Sequence, residues 1–173
     1  MGPRPIVQAD TRARILIIGQ APGRRVHATG IPWNDRSGER LRAWLALDRA
    51  TFYGPTVAIV PMGLCYPGSG SHGDLPPRAE CAPLWFAPLR HALPHIVLTL
   101  LIGGYAQRYH LGRQARASLT ETVRAWRDYE AFWPLPHPSG RNNHWLRRNP
   151  WFADELLPAL KARVREALAP RRG

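Results

Sequence analysis

The sequence predicts an α/β fold, a three-layer α/β/α arrangement around a central, mainly parallel four-stranded sheet, and three observations carry that expectation. Apolar runs rich in β-branched residues recur at 14–19 (RILIIG), 56–61 (TVAIVP) and 96–103 (IVLTLLIG). They are continuous rather than alternating, as expected of strands buried on both faces of a parallel sheet. Helical patterns separate them, and strands that alternate with helices build layered domains. The chain has 173 residues, 45% of them apolar, with seven Trp, five Tyr and four Phe. That is enough for one packed core, so a single domain over residues 1–173 is expected rather than two domains or a disordered chain.

Taken in order, the run at 14–19 is the first strand. Leu41, Trp44, Leu45 and Leu47 then lie mostly on one face of a first helix, followed by the second strand at 56–61. Helices are expected within 78–93, 104–111 and 118–128, with the third strand at 96–103. A weaker aromatic run at 131–135 predicts the fourth strand. Leu157, Leu160, Val164 and Leu168 step by 3, 4 and 4 along a last helix. Two stretches fit no regular element: 66–80, dense in Gly, Pro and Ser, and 134–150, with three Arg and no acid. Loops this long in a small domain are usually functional or mobile. In open parallel sheets ligands sit beyond the carboxyl ends of the strands, where 19–23, 61–66 and 137–141 would emerge together.

The net charge is +12, and Lys161 is the only Lys among 24 basic residues. Such a field attracts polyanions, nucleic acid first. An Arg-rich, GC-biased genome would leave the same composition. No apolar run approaches 18 residues and the N-terminus carries no export-signal pattern, so no membrane partner and a cytoplasmic location are expected. Cys65 and Cys81 are the only thiols, and two thiols in a cytosolic chain are more often packing residues than a disulfide.

Three segments carry chemistry. The first, GQAPG at 19–23, lets the backbone turn sharply and approach a ligand; with no Lys-Ser/Thr after it, it is not a phosphate-binding P-loop. A plain strand-end turn is the alternative. The second is GIPWNDRSGERLRAWL at 30–45. Trp33 offers a flat face for stacking a base, or a core-packing ring. Asp35 has two readings, the N-cap of a helix starting near Arg36 or a carboxylate that orients water and opposes a developing cation. The third is HPSGRNNHW at 137–145. There His137 can donate to an anionic leaving group, while Ser139, Gly140, Arg141 and Asn142 form a basic tip that can contact phosphate. A solvated surface loop is the bland alternative.

In this order the segments resemble the uracil-DNA glycosylase superfamily, over roughly residues 14–168. GQAPG with TGIPWNDRSGERL is similar to the GEAPG and G-x-PF-x-G-x-(A/S)-G-x-x-L run of the iron-sulfur type bacterial enzymes, and HPSGRN to the HPS loop that carries the catalytic His. The resemblance points to a divergent bacterial branch nearest that type. It implies an enzyme that flips uracil out of DNA and hydrolyses its N-glycosidic bond, as a monomer held at the nucleoid by DNA. With the sole Lys in the last helix, a monofunctional glycosylase without lyase chemistry is expected. Cys65 and Cys81 match two cluster cysteines, the second in E-C-A-P-L at 80–84, but no Cys precedes position 65. A four-thiolate cluster cannot assemble within one such chain, so no metal and no cofactor are expected.

Carried over by residue, the resemblance makes Trp33 the stacking aromatic and His137 the group that stabilises the departing uracil anion. Arg141 falls at the tip of the insertion loop. Ala21 stands where the GQDPY branch has its water-polarising Asp, and Gln20 replaces the Glu of GEAPG. Gln20 and Asp35 are therefore the remaining catalytic candidates beside His137. Gly19, Ala21, Pro22, Gly23, Trp33, Asn34, Met62 and Tyr66 are the candidates for holding the base. Pro61-Met62-Gly63 occupies the place of the family's uracil-reading Asn, which leaves backbone groups or Asn34 to read the base edge. Gly23 stands where some branches place a bulky Tyr against the 5-methyl of thymine, leaving Tyr66 or Trp33 for that task. Arg24, Arg25, Arg36, Arg141, Arg147 and Arg148 flank the loops as phosphate contacts. Two other functions stay open: a glycosylase for another deaminated base such as hypoxanthine or xanthine, and a non-catalytic DNA-binding relative. A nucleotide-binding hydrolase that uses GQAPG as a phosphate cradle is a remote fourth.

Overall fold

The computed structural model describes residues 2–71 and 73–170. Four parallel strands form the central sheet: β1 (Ile15–Ile18), β2 (Val57–Ile59), β5 (Leu98–Ile102) and β6 (Phe132–Leu135), in the order β2-β1-β5-β6. A small antiparallel hairpin, β3 (Ser69–Gly70) and β4 (Gly73–Asp74), stands apart from it. The register pairs Ile15 with Val57 and Leu98, and Leu100 with Trp133. Pro134 has no amide hydrogen to give the ladder, and β6 tolerates it because it is an edge strand, paired only with β5.

Alternation of side chains along the strands divides the core in two. Ile15, Ile17, Val57, Ile59, Leu98, Leu100, Trp133 and Leu135 face one layer, formed by α2 (Arg36–Leu45), α6 (Leu119–Arg124) and α8 (Leu157–Leu168). Leu16, Ile18, Ala58 and Leu101 face the other, where Ala82 of α4 (Cys81–His91) and Ala106 and Leu111 of α5 (Gly104–Leu111) cover the sheet. All of these strand residues are buried, which explains why the runs read as continuous rather than alternating. The three-layer α/β/α expectation therefore holds.

Several boundaries differ from the sequence expectation. The first long helix ends at Leu45, because Ala46 adopts a left-handed conformation (φ 53°) that halts it; Leu47 still packs on the core from beyond the helix. Two short helices escaped the pattern, α1 (Arg24–Thr29) and α3 (Arg49–Phe52), each too brief for periodicity to register. The stretch 134–150, expected to be a loop, contains the end of β6, a 3-10 turn at Gly140–Asn142 and α7 (Asn143–Arg148). Tertiary contacts pin α7: Trp145 Nε1 donates to Thr120 Oγ1 at 2.7 Å and its ring meets Phe152 edge-on. The expected loop at 66–80 likewise holds the β3/β4 hairpin. Its strands of two residues carry no apolar signal, since Ser69, Gly70 and Asp74 are exposed.

Candidate active site

The carboxyl ends of the sheet strands open into a cavity of about 660 Å³, within the usual range for a small-molecule site. The 19–23 turn forms one wall. Met62 N donates to Gly19 O and Gly63 N to Gln20 O, both at 2.9 Å, so the turn is tied to the segment that follows β2. Gly19, Gln20, Ala21, Pro22 and Gly23 all line the cavity.

Trp33 closes a second wall and has an unusual backbone, with φ 55°. For a bulky residue this conformation costs about 1–3 kcal/mol and persists only where surroundings enforce it. Here they do. Tyr53 Oη donates to Pro32 O at 2.8 Å, fixing the approach. Behind Trp33 lies the first turn of α2, where a β-carbon on Gly38 would fall 1.7 Å from Trp33 O. In front, a β-carbon on Gly19 would fall 2.9 Å from Trp33 Cζ2. Two glycines thus create the slot that holds the indole against the end of β1.

Asp35 is both the cap of α2 and part of the cavity lining. Its Oδ1 accepts from Gly38 N at 2.8 Å, a side-chain N-cap on α2, and its side chain also lines the cavity. Its negative charge opposes the effect of burial on His137. Burial lowers the His137 pKa from the ordinary imidazole value, and Asp35 pulls it partway back. His137 is therefore neutral at pH 7. Ser139 N donates to its Nδ1 at 3.2 Å, which places the remaining proton on Nε2.

The His137 loop is built as a rigid arch. Asn142 Nδ2 donates to His137 O at 2.7 Å, and Arg40 Nη1, from α2, donates to Ser139 O at 3.2 Å and to Asn143 Oδ1 at 2.8 Å. The imidazole and the Trp33 indole lie 5.4 Å apart between centroids, tilted by 35°. An aromatic face and a neutral N–H donor thus share one pocket, an arrangement suited to holding a flat heterocycle and stabilising negative charge on it.

The fourth wall comes from a segment the sequence left unassigned. Tyr66 Oη and Ser69 Oγ are 2.5 Å apart, and Ser69 Oγ donates to Asp74 Oδ1 at 3.1 Å. Ser69, Gly73, Asp74 and Leu75 line the cavity. The guanidinium of Arg141 lies against Gly73, where a β-carbon would fall 2.5 Å from Nη1, so the His137 loop and the hairpin meet. Asp74 had one signal in the sequence: it is the sole acid between Asp48 and Glu80, within a Gly- and Pro-rich segment.

Of the remaining candidates, Met62, Asn34, Tyr66 and Gly140 fall outside the cavity lining. Met62 is buried in the core layer beneath, and Asn34 Oδ1 accepts from Arg49 at 3.5 Å. Tyr66 stands behind Ser69 with its ring 5.8 Å from His27. Ser139, Arg141 and Asn142 line the cavity, whereas Gly140 lies exposed beside them. Arg24, Arg25 and Arg36 at the starts of α1 and α2, and Arg147 and Arg148 at the end of α7, are exposed. Cys65 and Cys81 are free and half-buried, and among the described residues no three His, Cys, Asp or Glu side chains gather as metal ligands. Two thiols do not fit a four-thiolate iron–sulfur cluster. No helix among the described residues is long and apolar enough to cross a membrane.

Comparison with known proteins gives two findings. The model of the uracil DNA glycosylase superfamily matches residues 6–161. The fold is similar to the solution NMR structure of a protein from Methanosarcina acetivorans, provisionally assigned as a uracil DNA glycosylase, with a TM-score of 0.54 over 94% of this chain and 96% of that one. At 19% identity, that likeness speaks for the fold alone.

Proposed function

The chain belongs to the uracil DNA glycosylase superfamily, and from that premise we propose that it removes uracil from DNA by hydrolysis of the N-glycosidic bond, leaving an abasic site. The observation that carries this reading is the pairing of Trp33 with a neutral, Nε2-protonated His137 across one cavity at the carboxyl ends of the sheet.

In a stacked duplex the bond to be cut is out of reach, so the nucleotide is rotated out at a cost of a few kcal/mol. The exposed arginines at the starts of α1 and α2 and at the end of α7 hold the phosphates on either side. The extruded base stacks on Trp33. As the bond from C1′ to the base nitrogen breaks, the electron pair stays with the base, and His137 Nε2–H donates to the carbonyl oxygen where negative charge grows. A neutral donor suits this task, because it stabilises the anion without giving up its proton. Asp35 opposes the positive charge that develops on the sugar and orients water for attack at C1′, while it remains the cap of α2. Water supplies the hydroxyl and a proton leaves with the base, so no covalent intermediate and no Lys are needed. Gln20 and Ala21 stand where other branches place an acid, which leaves Asp35 with that work.

The test is cleavage of end-labelled oligonucleotides containing U:G, U:A, single-stranded U, T:G and hypoxanthine, with and without alkali after incubation. Strand breaks at uracil only after alkali are expected. Breaks at hypoxanthine alone would reassign the substrate, and salt-sensitive DNA binding with no break at any base would refute the enzymatic reading.

A further inference from the structure

Resting on the glycosylase reading above, we propose that Arg40 is a positioning residue for cleavage: from α2 it holds the His137 loop at a fixed height over the cavity, so that the donor for the departing base stays in register with Trp33 and Asp35. The site is assembled from two distant parts of the chain. Trp33 and Asp35 lie at the entry to α2. There Asp35 Oδ1 accepts from Gly38 N at 2.8 Å and Gly38 leaves no space behind Trp33 O, so both residues move with the first turn of the helix. His137 lies beyond β6, on a different segment. Arg40 bridges the two. It sits half-buried at the margin of the buried face of α2, beside the fully buried Leu41, and its Nη1 donates to Ser139 O at 3.2 Å and to Asn143 Oδ1 at 2.8 Å.

Both acceptors lie next to groups that fix the imidazole. Ser139 N donates to His137 Nδ1 at 3.2 Å, and Asn142, the neighbour of Asn143, donates from Nδ2 to His137 O at 2.7 Å. One guanidinium nitrogen therefore ties the helix that carries Trp33 and Asp35 to both ends of the turn that orients the His137 ring. Arg40 does not line the cavity, so it acts through His137 and not on the base. Hydrogen bonds from a charged donor are the stronger kind, which suits a tie between two separate segments. The imidazole must meet the base oxygen within hydrogen-bond reach, and a misplacement of about 1 Å costs on the order of a hundredfold in rate. Loss of Arg40 takes the α2 donor from Ser139 O and Asn143 Oδ1 together. The loop gains freedom, and His137 spends less time where negative charge grows.

The experiment measures single-turnover release of uracil and of 5-fluorouracil, each opposite G, beside DNA binding, for wild type, Arg40→Ala, Arg40→Lys and Asn143→Ala. Fluorine stabilises the departing anion, so 5-fluorouracil leaves with less help from His137. Arg40→Ala is expected to slow uracil release by about tenfold to a hundredfold, to slow 5-fluorouracil release clearly less, and to bind DNA nearly as tightly as wild type. A change that only lowered the folded fraction would slow both bases equally. Arg40→Lys keeps the charge but ends short of the Nη1 position, so it should bind as wild type does and remain slow. Asn143→Ala removes one acceptor and leaves Ser139 O; it serves where Arg40→Ala melts early, and it should show the same inequality on a smaller scale. Equal slowing of both bases, full activity in Arg40→Ala or full recovery in Arg40→Lys overturns the proposal. Hydrogen exchange on the same proteins reads the loop without chemistry: amides of 137–143 should exchange faster in Arg40→Ala while those of the sheet do not. Absence of any base release by wild type would remove the glycosylase reading. Faster exchange confined to the loop would in that case still uphold the hold of Arg40 on the His137 loop, and unchanged exchange would overturn it.

Discussion

Replacing Gly19 by Ala separates the function of Trp33 from its contribution to stability. The new β-carbon would lie 2.9 Å from Trp33 Cζ2, whereas ordinary contacts begin near 3.4 Å, so the indole must give way by about 0.5 Å. Its backbone cannot retreat, because Trp33 O is braced against Gly38. The ring itself can tilt about its side-chain bonds, so unfolding free energy should fall by only about 1 kcal/mol, the low end for overpacking. Tilting spoils the face on which the base stacks. Stacking of a base on an aromatic side chain is worth about 1–3 kcal/mol, so kcat/KM for uracil release should fall by about tenfold. Gly38→Ala is the converse. There the clash, at 1.7 Å, is with backbone, nothing can rotate aside, and stability should fall by about 3 kcal/mol or more. Urea denaturation and single-turnover uracil release on the same preparations measure both quantities. A Gly19→Ala protein with wild-type kcat/KM would refute the stacking role of Trp33.

Four further outcomes are expected. His137→Ala should abolish base release while DNA binding persists, and Asp35→Asn, which keeps the helix cap, should slow release. Because the Asp35 charge raises the His137 pKa against burial, its removal should also move the acid limb of the rate profile to lower pH, as read from release rates between pH 4 and 7. His110, packed beside Phe86 at 4.3 Å, has its pKa lowered by burial to about 4 from 6.5. Only the unfolded chain takes a proton there between those values, so the contribution of His110 to stability is complete above pH 6.5 and is lost as pH falls toward 4. The gap sets a ceiling of about 3.4 kcal/mol, which partial exposure reduces to about 1–2 kcal/mol; between pH 7 and 4.5 the unfolding free energy from urea denaturation should fall by that much more for wild type than for His110→Phe. Finally, Arg24→Ala with Arg25→Ala should weaken DNA binding about equally for all sequences and flatten the salt dependence by about two, checked by fluorescence anisotropy across a salt series.

Residue patterning alone specifies the sheet and the three loops that line the cavity. Strands buried on both faces are apolar at nearly every position, with Thr99 the one polar residue among them, so Ile15–Ile18 and Leu98–Ile102 stand out in the chain as surely as in the core. The strand order places the ends of β1, β2 and β6 together, and the motifs at 19–23, 30–38 and 137–142 consequently meet there. Short elements were not legible, because α1, α7 and the β3/β4 hairpin lack a period of their own and are held by contacts distant in sequence, such as Trp145 with Thr120 and Arg141 against Gly73. It takes the folded chain to show that Asp35 caps a helix and lines the cavity at once, that Met62 is core, and that His137 is neutral with its proton on Nε2. The same holds for Asp74. An acid in a Gly- and Pro-rich segment looks like a solvated loop residue until the hairpin folds back over Gly23 and brings it into the cavity lining, because its place depends on which chain lies opposite and not on the residues beside it.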